Sequence, residues 1–334
     1  MKIGIAGVHY GHIGGMLHSA IEAPNGETIG LYEPDDELFN QYAKEHGLER
    51  YDSLEALVEA SDVVVEGMRH EEKADLVELC ARHNTDAFLD KPLCRNDDDL
   101  DRIERALAGS AIKLTMNFTS RSHPPFVALR EAILNGELGE IVSLITTHPH
   151  KLGSFAPDWY FDPKRYAGTF HDLAGHGVDQ ILWLTQSHAT AVHALGTVKR
   201  WTDEPRLEFD HVQASVQLSS GALATATADW LTPQNSPSFG DTRFIIMGTA
   251  GSAHVRAYAE DGLLICSEKN GRYTPQLPAA GPDRFVENMI EAFERGEENF
   301  ISTLDVLRAA RVGLAAERSA RNDGELIRLE EAPA

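Results

Sequence analysis

Two segments of the chain carry side chains that could move a proton at a reacting alcohol. In the first, Asp172 and His176 are four residues apart, so a single predicted helix over 172–184 would place both on one face. A carboxylate beside an imidazole orients the ring and favours its protonated form. His176 is therefore a candidate proton acceptor for an alcohol that becomes a ketone, with Asp172 as its partner. Taken alone, such a pair is more often structural than catalytic.

The second segment is Asp90-Lys91-Pro92, which directly follows the predicted strand Ala87–Leu89. In an open α/β sheet, ligands bind beyond the carboxyl ends of the strands. Lys91 is therefore a candidate to hold a reacting oxygen and to stabilise developing negative charge on it. The alternative interpretation is a lysine-proline turn at the surface with no chemical role.

A glycine-rich turn follows the first predicted strand, Lys2–Ala6, and opens a predicted helix. Glycines let the backbone approach a pyrophosphate, and the helix start offers N–H groups and a partial positive charge. The spacing is GxxxGxxG and not the usual GxGxxG, so this turn is longer, and a tight turn without a ligand is its alternative interpretation. The residues expected to bind a cofactor here are Gly7, His9, Tyr10, Gly11, His12 and Ile13, joined by Asp90, Lys91 and Pro92 at the other end of the site.

Glu33 ends the second predicted strand, Thr28–Tyr32. A carboxylate at this point can accept hydrogen bonds from the adenosine ribose and repel a 2′-phosphate. Acidic residues follow it, and no lysine or arginine occurs before Lys44. The sequence therefore predicts a dinucleotide site that takes NAD, with NADP the less favoured cofactor.

Together, these motifs resemble those of the Gfo/Idh/MocA oxidoreductase family. The family's Glu-Lys-Pro turn and its Gly…Asp-x-x-x-His-x-x-Asp helix correspond to Asp90-Lys91-Pro92 and to the segment 168–179. The similarity continues through Asn117-Phe118, Arg121, His123-Pro124, 136–139 and the ending 285–319. It implies that Lys91, Asp172 and His176 occupy catalytic positions.

Three features depart from the family's pattern. The phosphate turn is longer, and Ala174 stands where the family has a glycine between the aspartate and the histidine. The segment 66–70, Glu-Gly-Met-Arg-His, replaces a segment containing Thr-Pro near the nicotinamide. These differences concern cofactor geometry and substrate identity, not the fold.

The resemblance implies reversible hydride transfer between NAD and a secondary alcohol of a sugar, polyol or cyclitol. His176 would accept the hydroxyl proton, Asp172 would orient it and bind a neighbouring hydroxyl, and Lys91 would hold the reacting oxygen. Lysine and histidine could also exchange the proton-carrying role. Two other functions use the same fold: a non-catalytic regulator that senses NAD or a sugar, and an NAD-assisted elimination or glycoside cleavage.

The segment 149–167 contains aromatic and polar side chains that suit a polyhydroxylated ring, although an ordinary packed loop would look similar. Arg165 could meet an acidic group of a substrate. The residues expected to contact the substrate are Lys91, Asn117, Trp159, Tyr160, Arg165, Asp172 and His176.

Strands and helices alternate over the first 118 residues, which predicts a doubly wound Rossmann domain of the α/β class. From residue 119 to 334, alternating apolar residues such as Val212, Ala214 and Val216 predict an α+β domain with an open, mostly antiparallel sheet. Helices are predicted at Asp283–Arg295 and from Ser302, where Asp305 completes a capping pattern. The open sheet must cover its free face, so a homodimer or homotetramer through it is expected.

Composition narrows the partners and the location. The formal charge of -22 disfavours nucleic acid and anionic membranes, and no apolar run approaches the length of a membrane span. The N-terminus lacks the features of a signal peptide, and three widely spaced cysteines suit reduced thiols, so a cytoplasmic location is expected. None of the close pairs among the 15 histidines has a strong ligand spacing, and we expect no metal.

Overall fold

The structure is a computed structural model that describes residues 1–153, 156–203, 207–279 and 284–332. The chain forms two compact units. The first contains Met1–Asn117, Lys164–Ala167 and the described residues 284–307, and the second contains the other described residues.

The first unit is built on a five-stranded sheet in which every paired neighbour is parallel, in the order β2-β1-β3-β4-β5. Its strands are β1 (Lys2–Ala6), β2 (Glu27–Tyr32), β3 (Val63–Glu66), β4 (Asp86–Leu89) and β5 (Leu114–Met116). The connecting helices are α1 (Ile13–Glu22), α2 (Asp36–His46), α3 (Leu54–Ala60), α4 (Lys73–His83) and α5 (Asp97–Ala108). This confirms the predicted doubly wound parallel sheet, whose strands are buried because helices cover it.

Local sequence explains where several of these helices begin. The Asp35 carboxylate accepts the N–H groups of Glu37 and Leu38 at the start of α2, and the Ser53 hydroxyl accepts that of Ala56 in α3. Helix α2 ends at Gly47, which adopts a φ of 67° that glycine tolerates without strain.

The second unit contains a nine-stranded sheet in the order β13-β12-β11-β10-β6-β9-β8-β7-β14, in which only the β6–β9 pair is parallel among the described strands. Its strands are β6 (Ile141–Pro149), β7 (Ala189–Thr197), β8 (His211–Leu218), β9 (Leu223–Asp229), β10 (Thr242–Gly248), β11 (Gly251–Ala257), β12 (Gly262–Ser267), β13 (Gly271–Tyr273) and β14 (Ile327–Arg328). The remaining helices of the chain are α6 (Pro124–Leu134), α7 (Thr169–Leu173), α8 (Gly175–Thr185), α9 (Phe285–Glu294) and α10 (Thr303–Arg321). The predicted mostly antiparallel sheet is confirmed, and β7 is a strand that the sequence did not predict because its small residues give weak alternation.

The helix carrying the aspartate and histidine differs from the prediction. The structure interrupts it at Ala174, so Asp172 lies in α7 and His176 lies in α8. Gly175 and Gly177 have low helix propensity, which makes this a weak place for one continuous helix. Asp172 and His176 therefore belong to two different helices, and the prediction of a single helix that carries both is wrong.

Helix α9 belongs to the core of the first unit, although it follows the second unit's sheet in sequence. Val286, Met289 and Ile290 are fully buried in one apolar cluster with Ile3 and Leu17. A single boundary near residue 118 does not anticipate this, because the buried stripe of α9 finds its partners only in three dimensions. The predicted start of this helix, Asp283, lies outside the described residues.

The capping pattern predicted at the start of α10 is confirmed. The Ser302 N–H donates to Asp305 Oδ2 at 3.0 Å, and the Asp305 N–H donates to Ser302 Oγ at 3.2 Å. Across the described helices, none combines the length and apolar character needed to cross a membrane.

Removing apolar volume from α9 should destabilise the first unit. We expect Ile290→Ala to lower the free energy of unfolding by about 2–5 kcal/mol, since it leaves a cavity in a packed core. The exposed neighbour Glu291 provides the control, and Glu291→Ala should change stability by less than about 0.5 kcal/mol. Urea denaturation followed by circular dichroism measures both, and equal stabilities of the two variants would contradict the packing of α9.

Candidate active site

The Asp90-Lys91-Pro92 turn lies at the carboxyl end of β4, where the sequence predicts it. Its Lys91-Pro92 peptide bond is cis. Lys91 is buried, with 2% of its surface exposed, and its Nζ donates a hydrogen bond to the Tyr10 hydroxyl oxygen at 2.7 Å. The structure thus places a residue of the glycine turn directly against the candidate catalytic lysine.

A buried ion pair lies beside this turn. Lys73 Nζ is 3.1 Å from Glu66 Oε2, and both side chains are fully buried. Burial raises the pKa of Glu66 to about 7, against the opposing effect of the Lys73 charge. The carboxylate of Asp90 is 3.0 Å from the Nδ1 atom of His12, which starts α1.

Sequence reasoning missed Lys73, although a signal was present. Lys73 occupies the same helical stripe as Leu76, Val77 and Cys80, which are all fully buried in α4. A lysine in an apolar stripe is rarely buried without a charged partner. This position could have pointed to a buried acidic residue at the end of a neighbouring strand.

Glu33 is tied to the glycine turn by hydrogen bonds. Its Oε2 accepts the Val8 N–H at 3.0 Å, and its Oε1 accepts the Asp35 N–H at 2.9 Å and lies 3.1 Å from His9 Nε2. Burial by itself would raise the pKa of Glu33, but His9 and these two N–H groups lower it below its usual value. Glu33 is therefore held as a carboxylate at the end of β2.

The turn and its surroundings fit a dinucleotide. Gly7 has a φ of 70°, and a Cβ built on Gly11 meets no heavy atom of the described residues within 4 Å, which leaves space in front of α1. Helix α1 starts with neither a side-chain cap nor an acidic residue in its first turn. A cavity of about 190 Å³ opens at this end of β2 and is lined by Gly7, His9, Tyr32, Pro34, Met68 and Glu72, among others. A pyrophosphate can approach the turn, and an adenosine can lie toward the cavity.

The second unit holds the candidate aspartate and histidine. Asp172 is fully buried, and the ring of His176 lies edge-on to Phe118 with the ring centroids 6.1 Å apart. A Cβ built on Gly177 would lie 1.9 Å from His148 Nε2, so the glycine allows His148 to pack against the start of α8. His148 of β6 is therefore a neighbour that the sequence did not assign to the site.

A buried glutamate anchors the helix that carries Asp172. Glu317 Oε1, on α10, accepts the N–H groups of Phe170 at 2.6 Å and His171 at 3.2 Å. Gly168 precedes α7 with a φ of 103°, and a Cβ there would lie 2.3 Å from Glu317 Cδ. Burial raises the pKa of Glu317 to about 7, opposed by the charge of Arg321.

The other expected substrate residues are distributed over both units. Asn117 extends β5 by donating its N–H to the Leu89 carbonyl at 2.9 Å, which places it beside the lysine turn. Trp159 is buried against Tyr160 with their ring centroids 4.5 Å apart, in the second unit. Arg165 belongs to the first unit, where its Nε donates to Glu71 Oε1 at 2.7 Å.

Among the described residues, no group of three or more histidine, cysteine, aspartate or glutamate side chains has a geometry that could hold a metal ion.

Comparison with known proteins agrees with this geometry over most of the chain. Residues 1–118 match the family model for the oxidoreductase family with an NAD-binding Rossmann fold, and residues 126–254 match the model for the GFO/IDH/MocA C-terminal domain. The chain belongs to the Gfo/Idh/MocA family of oxidoreductases, and its first unit is an NAD-binding Rossmann fold.

Individual relatives are distant but cover most of their own length. The chain is 28% identical to inositol 2-dehydrogenase of Rhizobium meliloti, over 80% of this chain and 81% of that protein. It is 25% identical to 1,5-anhydro-D-fructose reductase of Ensifer adhaerens, over 89% and 93%. The solved structure of a levoglucosan dehydrogenase in complex with NADH superposes with a TM-score of 0.85 at 18% identity, covering 99% of this chain and 100% of that one.

The raised pKa of Glu317 predicts a pH-dependent contribution to stability. A glutamate titrates near 4.5 when unfolded and at about 7 here, so the folded chain holds a proton that the unfolded chain releases between these values. The contribution is fully present below about pH 4.5 and is lost as the pH rises through about 7. The melting temperature of the wild type minus that of Glu317→Gln should therefore fall as the pH rises over this range.

Differential scanning fluorimetry at several pH values measures this difference. Glu131→Gln, which changes an exposed carboxylate of α6, is the matched control and should follow the wild type at every pH. A wild-type minus Glu317→Gln difference that stays constant from pH 4.5 to 7.5 would show that Glu317 does not titrate in this range.

Proposed function

We propose that this oxidoreductase transfers a hydride reversibly between NAD and a secondary alcohol of a sugar, polyol or cyclitol. The observation that carries the proposal is the buried ammonium of Lys91 at the carboxyl end of β4, next to residues that fit NAD. Two relatives, the inositol 2-dehydrogenase of Rhizobium meliloti and the 1,5-anhydro-D-fructose reductase of Ensifer adhaerens, support this class of substrate.

Each candidate residue has a defined task in this proposal. NAD, when bound, supplies the hydride acceptor. Gly7, the turn 9–13, Glu33 and the segment 90–92 hold the cofactor. Lys91 holds the reacting oxygen with its Nζ, the His176 imidazole accepts the hydroxyl proton, and Asp172 orients His176 and binds a neighbouring hydroxyl.

The cofactor and the substrate are proposed to bind to different segments of the chain. We propose that residues 1–118 carry the cofactor and that residues 119–334 select the substrate through Trp159, Tyr160 and Arg165, joined by Asn117 from the end of the first segment. Because Glu71 pairs with Arg165, an acidic substrate group would have to compete with that carboxylate. The second unit's sheet exposes Leu195, Leu223 and Met247, which supports a homodimer or homotetramer through this face.

Lys91→Ala and His176→Ala should each lower turnover by at least about a hundredfold, because each removes a group that acts on the hydroxyl proton or oxygen. The assay is NADH or NADPH absorbance with a panel containing myo-inositol, 1,5-anhydro-D-fructose, levoglucosan, other sugars and sugar acids. Product analysis separates net oxidation from an elimination or glycoside cleavage in which oxidation is transient. Isothermal titration calorimetry should show nearly unchanged NAD affinity in His176→Ala, because His176 is not among the residues proposed to hold the cofactor.

Lys44→Ala, at an exposed position of α2, is the matched control and should retain full turnover. Full activity of Lys91→Ala would show that the lysine assignment is wrong. NAD binding without turnover of any panel member in the wild type would favour a non-catalytic regulator that senses NAD or a sugar.

Glu33 should decide the preference for NAD over NADP. Arg50 lies at the same end of β2, but its Nη1 is 2.6 Å from the Asp36 carboxylate and its Nη2 donates to the Glu33 carbonyl. We expect Glu33→Ala to lower the ratio of NAD affinity to NADP affinity about tenfold, since the variant loses a buried negative charge and its hydrogen bonds. Calorimetric titration with both cofactors measures this ratio. Glu37→Ala, at an exposed acidic residue of α2, is the control and should leave the ratio unchanged. An unaltered ratio in Glu33→Ala would show that Glu33 does not set the cofactor preference.

A further inference from the structure

Lys91 is held at both its main-chain and its side-chain end by residues of other segments. We propose that Tyr10, Glu66 and Lys73 are positioning residues that fix the direction of the Lys91 ammonium. This inference rests on the proposed function, in which that ammonium holds the reacting oxygen.

The main-chain end is fixed by the buried ion pair. Glu66 Oε2 accepts the Asp90 N–H at 3.1 Å, and Lys73 Nζ donates to the Asp90 carbonyl oxygen at 2.6 Å. Both main-chain polar groups of Asp90, the residue before Lys91, are therefore bound to the two partners of one ion pair. A change in either partner leaves a charge buried without its counter-charge, so the pair strongly restricts the backbone at this point.

Glu66 also links this turn to the end of β3. Its Oε1 accepts the Met68 N–H at 2.5 Å, while its Oε2 binds the Asp90 N–H and Lys73. The carboxylate thus joins the carboxyl ends of β3 and β4. The lysine turn cannot move relative to the neighbouring strand end without breaking these bonds.

The side-chain end is fixed by Tyr10. Its hydroxyl oxygen accepts a hydrogen bond from Lys91 Nζ at 2.7 Å, and Tyr10 is itself 3% exposed. The rings of His12 and His70 pack against the Tyr10 ring, with ring centroids 5.4 Å and 5.3 Å from its centroid. An ammonium has three donors, so the bond to Tyr10 sets the direction of the other two.

Tyr10 presents an uncharged acceptor to Lys91. A phenol hydroxyl orients an ammonium without itself forming an ion pair with it. The carboxylates of Glu66 and Asp90 lie 3.1 Å from Lys73 Nζ and 3.0 Å from His12 Nδ1.

Two of the three positioning residues lie in segments where the sequence departs from the family's pattern. The third lies at the start of the helix that follows one of these segments. Tyr10 belongs to the lengthened glycine turn, Glu66 begins the segment that replaces Thr-Pro, and Lys73 starts α4 just after it. One departure therefore supplies the residue that holds the side chain of Lys91, and the other supplies a residue that holds its main chain.

Tyr10→Phe tests the side-chain end, because it removes only the hydroxyl. With the panel alcohol that gives the highest rate, we expect kcat to fall about tenfold to a hundredfold, as a misdirected catalytic group does. KM for the alcohol and the melting temperature should stay close to the wild type, which a general structural role would not allow. Tyr42→Phe, at a partly buried tyrosine packed against the core of the same unit, is the matched control.

Lys73→Met tests the main-chain end without relying on turnover. Hydrogen–deuterium exchange of the peptide spanning residues 88–94 should be faster in Lys73→Met than in the wild type. The double variant Glu66→Gln/Lys73→Met removes both charges, so it should recover the melting temperature lost by Lys73→Met while keeping the fast exchange. If the single variant does not fold, the double variant alone decides the point.

The outcomes separate the two proposals. An active Lys91→Ala variant overturns the proposed function. An inactive Lys91→Ala together with full kcat in Tyr10→Phe, or with unchanged exchange at 88–94 in the double variant, overturns only the positioning role.

Discussion

Buried carboxylates that bind backbone N–H groups are the interaction on which the arrangement of this protein's candidate site depends. Glu33 accepts N–H groups from Val8 and Asp35, and Glu66 accepts those of Met68 and Asp90. In the second unit, Glu317 accepts the N–H groups of Phe170 and His171. Each carboxylate therefore fixes a turn or helix start that carries residues proposed to bind cofactor or substrate. A turn fixed by buried charge is rigid, since any displacement leaves polar groups without partners in a medium that solvates them poorly.

The three carboxylates differ in charge state because their partners differ. The pKa of Glu33 is lowered despite burial, since His9 and two N–H groups favour its charged form. Burial dominates for Glu66 and Glu317 and raises the pKa of each to about 7. The cofactor end is thus anchored by an ionised group, whereas burial works against the charged form of the carboxylates that anchor the segments of Lys91 and Asp172.

Much of the fold could be predicted because it rests on local patterns. The alternation of strands and helices predicted the parallel sheet, and the spacing of Ser302 and Asp305 predicted the reciprocal cap of α10. The prediction of one helix over 172–184 was wrong, since Gly175 and Gly177 directly follow the interruption at Ala174 and weaken a continuous helix. The packing of α9 in the core of the first unit could not be predicted either. An amphipathic stripe shows that a helix needs a packing partner, but it does not show which partner.

The sequence by itself determined the class of fold, the family and the candidate residues Lys91, Asp172 and His176, because these depend on residue type and short-range spacing. Only the tertiary structure decided which groups surround Lys91. The contacts of its turn with Tyr10, Glu66 and Lys73 join segments that are far apart along the chain. Burial then determines how strongly each of these charged groups interacts with its neighbours. Burial and long-range pairing are properties of the folded chain, so no local pattern contains them.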